Sequence, residues 1–532
     1  MTAVPTRRTV RRRWQPWAVA GAAAVCYVVV AVLQWRRFEV PSWDLAIFTQ
    51  LAKAYAGLDA PIVPIKGDGF NLLGDHFHPI LVLLGPVYAL APSGLTLLVV
   101  QALLIAVSAW PLTALAVRWL GRLPGTGVGA LYVLSHGVQG AARSQFHEIS
   151  FALPLLAFGL CALLERRWRA AVLWLAPVVF VKEDLGLLVL VLGLVVWWRG
   201  APRHGRGLAA WGALWFLLAT AVVLPALNPR GQYDYTDNLS LGDALGDPLG
   251  TLAGALGPGE KVVTVLLLVA MAGAVGARSP ILLAAVPTLA WRFLGDVPFY
   301  WTWMWHYDAV LMPLAVAALL DALGPRPGPG TAAAADAADD GVTSPGDGVA
   351  PADEDAAGAG VGRDAADARS PQAAPAPDGS AGTPGGGVAP SRGAAVDRHR
   401  RRTAVALGAA GLAVVLTAPD LPVAQLLDGG TWRPSPRADA AREVLDTVPE
   451  GAVVAGDISL LAYLVPTTTA LWSGTPDNPV AEYYVIDREG GTWGGNPPED
   501  AAAYAEQKHP GTDYEIVLDT GGYQVARLVD GT

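Results

Sequence analysis

Charge is scarce in this chain. Asp, Glu, Lys and Arg make up 16% of its 532 residues, against about 25% in soluble domains, while 53% of residues are hydrophobic. That balance argues against an ordinary soluble domain and for a membrane protein. Cysteine is scarcer still. The only two, Cys26 and Cys161, lie inside apolar runs, which argues against a disulfide framework or a thiolate zinc site. No stripe of basic residues interleaved with exposed aromatics is present, so nucleic acid is not an expected partner. Neither a P-loop nor a GxGxxG turn in its strand–helix setting occurs, which disfavours soluble nucleotide-driven chemistry. The formal net charge of −9 is a poor guide to partners, because much of the acid sits in one low-complexity stretch.

What the chain has instead is a series of apolar runs. A spanning helix needs about 20 apolar residues, and Lys and Arg collect in cytoplasmic loops. Both rules together give about eleven spans. The first, 14–35, follows the basic tail 1–13 and ends in LQWRRFEV without a small-x-small cleavage site, so it is expected to stay uncleaved with the tail in the cytoplasm. A long outer segment, 36–93, contains GDHFHPI and an apolar stretch too short to cross comfortably. Spans at 94–120, 124–142 and 149–164 come next, the last reaching the basic cluster ERRWR.

The run AAVLWLAPVVFVKEDLGLLVLVLGLVVWW decides the topology. As one helix it is roughly 44 Å long, with Lys182, Glu183 and Asp184 near its centre. Each charge there costs about 2.5–3.5 kcal/mol on an insertion scale. Two short helices meeting at KED near the outer face avoid that cost and keep Arg199, Arg203 and Arg206 inside. Further spans are expected at 207–226, 261–277, 279–294 and 307–323, completing a membrane domain over 14–323. The tryptophans and tyrosines of DVPFYWTWMWHYD suit a membrane–water interface.

From 324 to 402 the sequence is mostly Gly, Pro, Ala and Asp and ends in a basic cluster. It has too few large apolar residues to form a core and reads as a disordered cytoplasmic insert. A last span, 403–419, leads to an outer domain, 420–532. There PRADAAREVLDTVP and EDAAAYAEQKH read as helices, AVVAGD, TTALW and EYYVID as strands, and YEIVLDTGGYQVARLV as a hairpin turning at Gly521–Gly522. The expected fold class is therefore mainly α: a polytopic transmembrane helix bundle with a small extracytoplasmic α/β domain at its C-terminus.

This topology rests on hydropathy and basic residues alone, yet it gathers the polar clusters on the outer side. They are Asp44; Asp75, His76 and His78; His147 and Glu148; Lys182, Glu183 and Asp184; and His306 and Asp308. His136 falls in the outer half of its helix. Polar groups at membrane depth are expensive and usually face a functional cavity. Each cluster also has a plainer explanation: Asp44 beside a helix N-terminus, His76 and His78 capping the helix after Pro79, and Glu148 opening a helix. Lys182 and its acidic neighbours can be a self-satisfied pair at a helix break, and His306 and Asp308 interfacial polar residues. Independent caps would scatter over both faces, so the shared face favours a site.

Three chemistries suit such a face. Asp44 as general base would deprotonate an acceptor hydroxyl for attack on an activated sugar. His76, His78, His147 and Glu148 are candidate ligands for a divalent metal that neutralises a lipid phosphate, although His76-x-His78 diverges on a helix. Lys182 is a candidate to pair with that phosphate directly.

The segments WDLAIFTQ, DHFHPILVLLGPVYAL, FHEISFALPLL, VKEDLGLLVL and HYDAVLMPLAVAAL, in this order, resemble the predicted membrane proteins grouped as domain of unknown function 2079, over about residues 40–320. More distantly the chain resembles the GT-C superfamily of integral-membrane glycosyltransferases, which carry a catalytic acid just beyond the first span and use polyprenyl-phosphate sugars. Asp44 stands in the corresponding place, and PILVLLGPVYAL resembles one of their interfacial helices. The paired-acid motif of many such enzymes is missing here, since Trp43 and Leu45 flank Asp44.

The resemblance implies a GT-C-like, lipid-linked sugar transferase at the outer face of the bacterial plasma membrane. Its expected partners are membrane lipids, a polyprenyl-phosphate sugar donor and a cell-envelope acceptor. On this reading Asp44 is the base, and Asp75, His76, His78, His147 and Glu148 line the site or hold a metal. Lys182 meets the donor phosphate with Glu183 or Asp184 orienting it, and His306 and Asp308 close the far wall. The rivals are a transporter or channel with its site at the broken helix pair, and a scaffold whose outer domain binds envelope partners.

Overall fold

Long apolar runs become helices because a helix satisfies every backbone N–H and C=O internally, a requirement wherever water is absent. The computed structural model describes residues 13–39, 43–233, 257–295, 297–325 and 392–529, with 250 and 254 besides. Among these, four helices are long and apolar enough to cross a membrane: Gln15–Arg36, Gly94–Leu120, Pro202–Leu227 and Val396–Asp420. A bent pair, Pro298–Asp308 and Leu311–Leu323, meets at 68°, and five shorter apolar helices accompany them.

The membrane part runs through α1 (Gln15–Arg36), α2 (Trp43–Ala56), α3 (Leu84–Leu90), α4 (Gly94–Leu120), α5 (Arg122–Val133) and α6 (His136–Arg143). Then come α7 (Ala152–Leu164), α8 (Trp168–Leu175), α9 (Leu185–Trp198) and α10 (Pro202–Leu218), followed by helices Gly259–Met271, Val286–Leu294 and Leu311–Leu323. Small residues let backbones meet, as is common in membrane bundles. A Cβ on Gly193 of α9 would overlap the Ala209 nitrogen of α10, and one on Gly212 would lie 2.5 Å from the Gly186 oxygen.

Helix boundaries differ from the sequence expectation at several points, two of them with a clear local cause. The run expected as one span over 124–142 is two helices, α5 and α6, separated at Leu134–Ser135. Ser135 has extended backbone, and its hydroxyl donates back to the Tyr132 carbonyl at 2.7 Å, a local bond that competes with helix continuation. The last long helix is Arg392–Thr417, starting ahead of the expected 403, because Ala and Arg extend a helix well. The remainder of the expected insert, from 326 to 391, lies outside the described residues. The KED run does divide: α8 passes into a 3-10 turn, Ala176–Phe180, and α9 starts at Leu185.

The C-terminal part forms a five-stranded sheet of β1 (Val453–Gly456), β2 (Thr469–Trp472), β3 (Tyr483–Asp487), β4 (Tyr514–Thr520) and β5 (Tyr523–Leu528) in the order β2-β1-β3-β5-β4. β1 is parallel to both neighbours, with Val454 opposite Ala470 and Tyr483, while β5 is antiparallel to β3 and β4. Gly521 and Gly522, both at positive φ, make the β4–β5 turn, which is where glycine costs least. Helices Ala438–Thr447 and Ala501–Lys508 fall in the segments read as helical. A third helix, Ile458–Leu464, has no counterpart in the sequence reading. It is the crossover that parallel β1 and β2 require, started by the Asp457 carboxylate accepting from the Ile458 N–H at 2.6 Å.

Candidate active site

Five separate stretches of chain meet around a cavity of about 400 Å³. Asp44 enters from the first turn of α2, where the helix dipole favours a carboxylate. Asp75, His76 and His78 come from the loop between α2 and α3. His147 and Glu148 come from the turn before α7, Lys182, Glu183 and Asp184 from the break before α9, and His306 from a 3-10 turn before Leu311. Ten of the eleven residues singled out from sequence therefore line one cavity. The exception is Asp308.

The lining groups are paired across these stretches. Asp44 Oδ2 lies 3.3 Å from His147 Nε2, with half of the Asp44 side chain exposed to the cavity. Glu183 receives three hydrogen bonds: from His76 Nδ1 at 2.8 Å, the Phe77 N–H at 3.0 Å and the Tyr233 hydroxyl at 3.0 Å. Lys182 Nζ stands 3.3 Å from Glu148 Oε1, and Lys66 Nζ 3.1 Å from Asp75 Oδ2. Asp184 accepts from the Trp291 indole at 3.0 Å. The His147 and His306 rings stack at 3.6 Å.

These surroundings set the protonation states. Burial opposes ionisation of Asp44, but His147, by charge and hydrogen bond, with Lys182 and Lys66 beyond it, holds the carboxyl below its ordinary value. Burial likewise disfavours charge on His147, and Asp44 overcomes it, raising the imidazole. Burial pushes Asp184 up to about 6, assisted by Glu183 and opposed by Lys182. It takes His78 down to about 4, leaving a neutral ring at physiological pH.

The His76–Glu183 pair yields a test. Burial works against ionisation of Glu183, yet His76 and then Lys182 hold it at about 2. Burial and Lys182 likewise oppose a charged His76, and Glu183 lifts it above its ordinary 6.5. The depressed Glu183 contributes stability above its ordinary 4.5, lost as pH falls through about 2. The raised His76 contributes stability below 6.5, lost as pH rises through its higher folded value. Glu183→Gln should therefore lower the unfolding temperature most between pH 4.5 and 6.5. Thermal unfolding of both proteins in detergent across pH would reveal it, and a gap that does not change with pH would contradict the pairing.

Asp308 faces away from the cavity. Its carboxylate takes Arg292 Nη1 at 2.5 Å and His136 Nε2 at 3.0 Å, all three side chains fully buried. Arg292 also donates to the carbonyls of Tyr300 and Thr302 at 2.8 and 3.2 Å. The triad thus ties down the aromatic loop, whose Phe299, Tyr300 and Tyr307 line the cavity.

The metal expectation meets a poor donor set. Among the described residues no group of three or more His, Cys, Asp or Glu side chains is placed to hold a metal ion. His76, His147 and Glu148 each turn to a different partner, so no step is routed through a metal.

Several site residues went unmarked in the sequence. Gln101, a lone amide in the apolar run of α4, accepts from the His147 N–H at 3.1 Å and donates to the Ala141 and Gln145 carbonyls at 3.0 and 2.8 Å. Its polarity amid leucines was the available signal. Lys66 and Tyr233 sit in polar loops with nothing to distinguish them, and Trp291 reads as packing.

The cavity lies almost wholly within the stretch that carries the family resemblance. A crystal structure of ArnT from Cupriavidus metallidurans bound to undecaprenyl phosphate is similar at a TM-score of 0.47 and 14% identity, covering 95% of this chain and 98% of that one. None of the curated proteins matches the sequence. The family model of predicted membrane proteins designated DUF2079 matches residues 36–332, more than half of the 532. With four helices long enough to cross a bilayer among the described residues and that match, the chain is a membrane protein and belongs to the DUF2079 family.

Proposed function

We propose that this protein is a membrane glycosyltransferase of GT-C-like architecture that moves a sugar from a polyprenyl-phosphate donor to a cell-envelope acceptor. In this reading about eleven spans hold the N-terminus in the cytoplasm and put the cavity and the C-terminal domain outside the bacterial plasma membrane. The observation that carries it is a carboxylate, Asp44, half open to a large buried cavity and backed by His147, with Lys66 and Lys182 on the same walls.

The chemistry follows from those positions. Asp44 takes the proton of the acceptor hydroxyl as its oxygen bonds to the anomeric carbon. The bond from that carbon to the phosphate oxygen breaks, its electron pair leaving on the polyprenyl phosphate. Lys66 binds the donor phosphate before and during the reaction, and Lys182 stabilises the charge that develops on it as the bond breaks. His147 keeps Asp44 ionised and oriented, and Gln101 keeps His147 in place. The aromatic side chains of the 299–307 loop supply a face for the sugar ring.

The test is release of polyprenyl phosphate from a polyprenyl-phosphate hexose by the purified protein in proteoliposomes, in the presence of envelope glycans. Release that rises with protein and disappears in Asp44→Asn supports the proposal. No release above protein-free vesicles, across hexose and aminosugar donors, would sink it.

A further inference from the structure

The sheet domain touches the cavity wall at two points. Trp472 of β2 packs edge-on against Trp43 at 4.5 Å, and Trp43 lines the cavity beside Asp44. The second contact runs through Gln50, buried on α2. Its Nε2 donates to the Ala470 carbonyl of β2 at 2.9 Å, while its Oε1 accepts from the Ile65 N–H at 3.0 Å. The Ile65 carbonyl in turn accepts from Thr475 Oγ1, just past β2, at 3.3 Å. Both backbone polar groups of Ile65 are thus gripped, one by the sheet domain and one by a side chain which that domain anchors. The next residue is Lys66, in the cavity wall.

The grip matters because of two glycines just beyond Lys66. Gly67 and Gly69 both adopt positive φ, and glycine leaves a loop many conformations. A lysine beside such a segment keeps one position only if its backbone is held. The domain itself is firmly docked. Lys53 of α2 donates to the Val465 and Thr468 carbonyls at 2.8 and 2.9 Å, at the C-terminal end of helix Ile458–Leu464, where a cation suits the dipole. Tyr463 stacks on Trp35 at 3.9 Å and donates to its carbonyl at 3.0 Å.

We infer that the C-terminal sheet domain is a positioning element of the cavity: β2 and Thr475, with Gln50, fix the Ile65–Lys66 backbone and so set where Lys66 presents its charge to a phosphate. The phosphate role of Lys66 rests on the transferase reading; the backbone tether does not. Gln50, Trp472 and Thr475 are positioning residues that never touch the donor.

Full-length protein in proteoliposomes tests this in two arms. In amide exchange read by mass spectrometry, the peptide covering 61–71 should exchange about tenfold faster in Gln50→Leu and less so in Thr475→Val, since a buried bond is lost, with Thr475→Ser restoring protection. In turnover, Gln50→Leu should raise KM for the polyprenyl-phosphate hexose about tenfold and leave kcat within about threefold. Lys66→Ala should raise KM similarly, and the Gln50→Leu/Lys66→Ala double variant should be no worse than Lys66→Ala alone. Unchanged exchange in both Thr475→Val and Gln50→Leu, or fully additive KM effects, would overturn the inference. If the wild type shows no turnover, the transferase reading fails, and the exchange arm alone decides the tether.

Discussion

Asp44→Asn should lower sugar transfer about a thousandfold, with donor KM little changed and the protein eluting from size exclusion as the wild type does. Asparagine keeps the size of the side chain and a hydrogen bond to His147 but cannot take a proton. Since His147 holds Asp44 below its ordinary value, the carboxylate is a weak base. Such a base suffices where cleavage of the sugar–phosphate bond runs ahead of proton transfer, because the attacking hydroxyl becomes acidic only late. It also means that Asp44 stays ionised down to pH values below 3.8, so no acid limb near neutrality belongs to it. Asp44→Glu retains the charge yet displaces it by about one carbon–carbon bond, and a shift of roughly 1 Å costs on the order of a hundredfold. The order wild type, Glu, Asn in turnover measured on proteoliposomes is the signature of a base. Equal losses in Glu and Asn would instead mark Asp44 as a shape-dependent binding residue.

Asp308→Leu should destabilise the fold more than any single substitution in the cavity lining, by about 3–5 kcal/mol, the cost of leaving a buried charge without its partner. Arg292 has no exposed surface, and Asp308 is its carboxylate. The double variant Arg292→Met/Asp308→Leu should recover much of that loss, since replacing a buried pair by apolar residues of similar volume is often neutral or better. Unfolding of the detergent-solubilised proteins, followed by denaturant titration, separates the cases. A double variant no more stable than the single would mean that the triad acts through the Tyr300 and Thr302 carbonyls rather than through charge pairing. Because the triad holds the aromatic loop, the double variant should also lose transfer activity through misplacement of Tyr300 and Tyr307 even where it folds.

Elements with strong local signals were legible. The short apolar run in EYYVID and the Gly521–Gly522 turn led to β3 and the β4–β5 hairpin, and the cost of burying KED in one helix led to the break before α9. The division of 124–142 was not legible. It depends on Ser135 and on packing that only the fold supplies: a Cβ on Gly137 or Gly140 would fall 2.5 or 2.6 Å from the carbonyl oxygens of Asp308 and Trp305. α6 thus sits where it does because a distant loop lies against it.

The site divides along the same line. Which polar residues gather around one cavity could largely be read from the chain, because an ionisable side chain in an apolar context is costly wherever it ends up, and that cost marks it without reference to neighbours. Which residue pairs with which could not. His76 and Glu183 stand 107 positions apart and His136 and Asp308 stand 172 apart, and no spacing rule spans such distances. Asp308 shows the consequence: by composition it is indistinguishable from the carboxylates of the cavity, and only Arg292, arriving from another helix, turns it into the wall behind. The sequence by itself determined that the protein is a membrane protein with a polar cavity. The tertiary structure decided that Asp44 faces that cavity with His147 behind it, because pairing energies act through space and are set by where the helices cross.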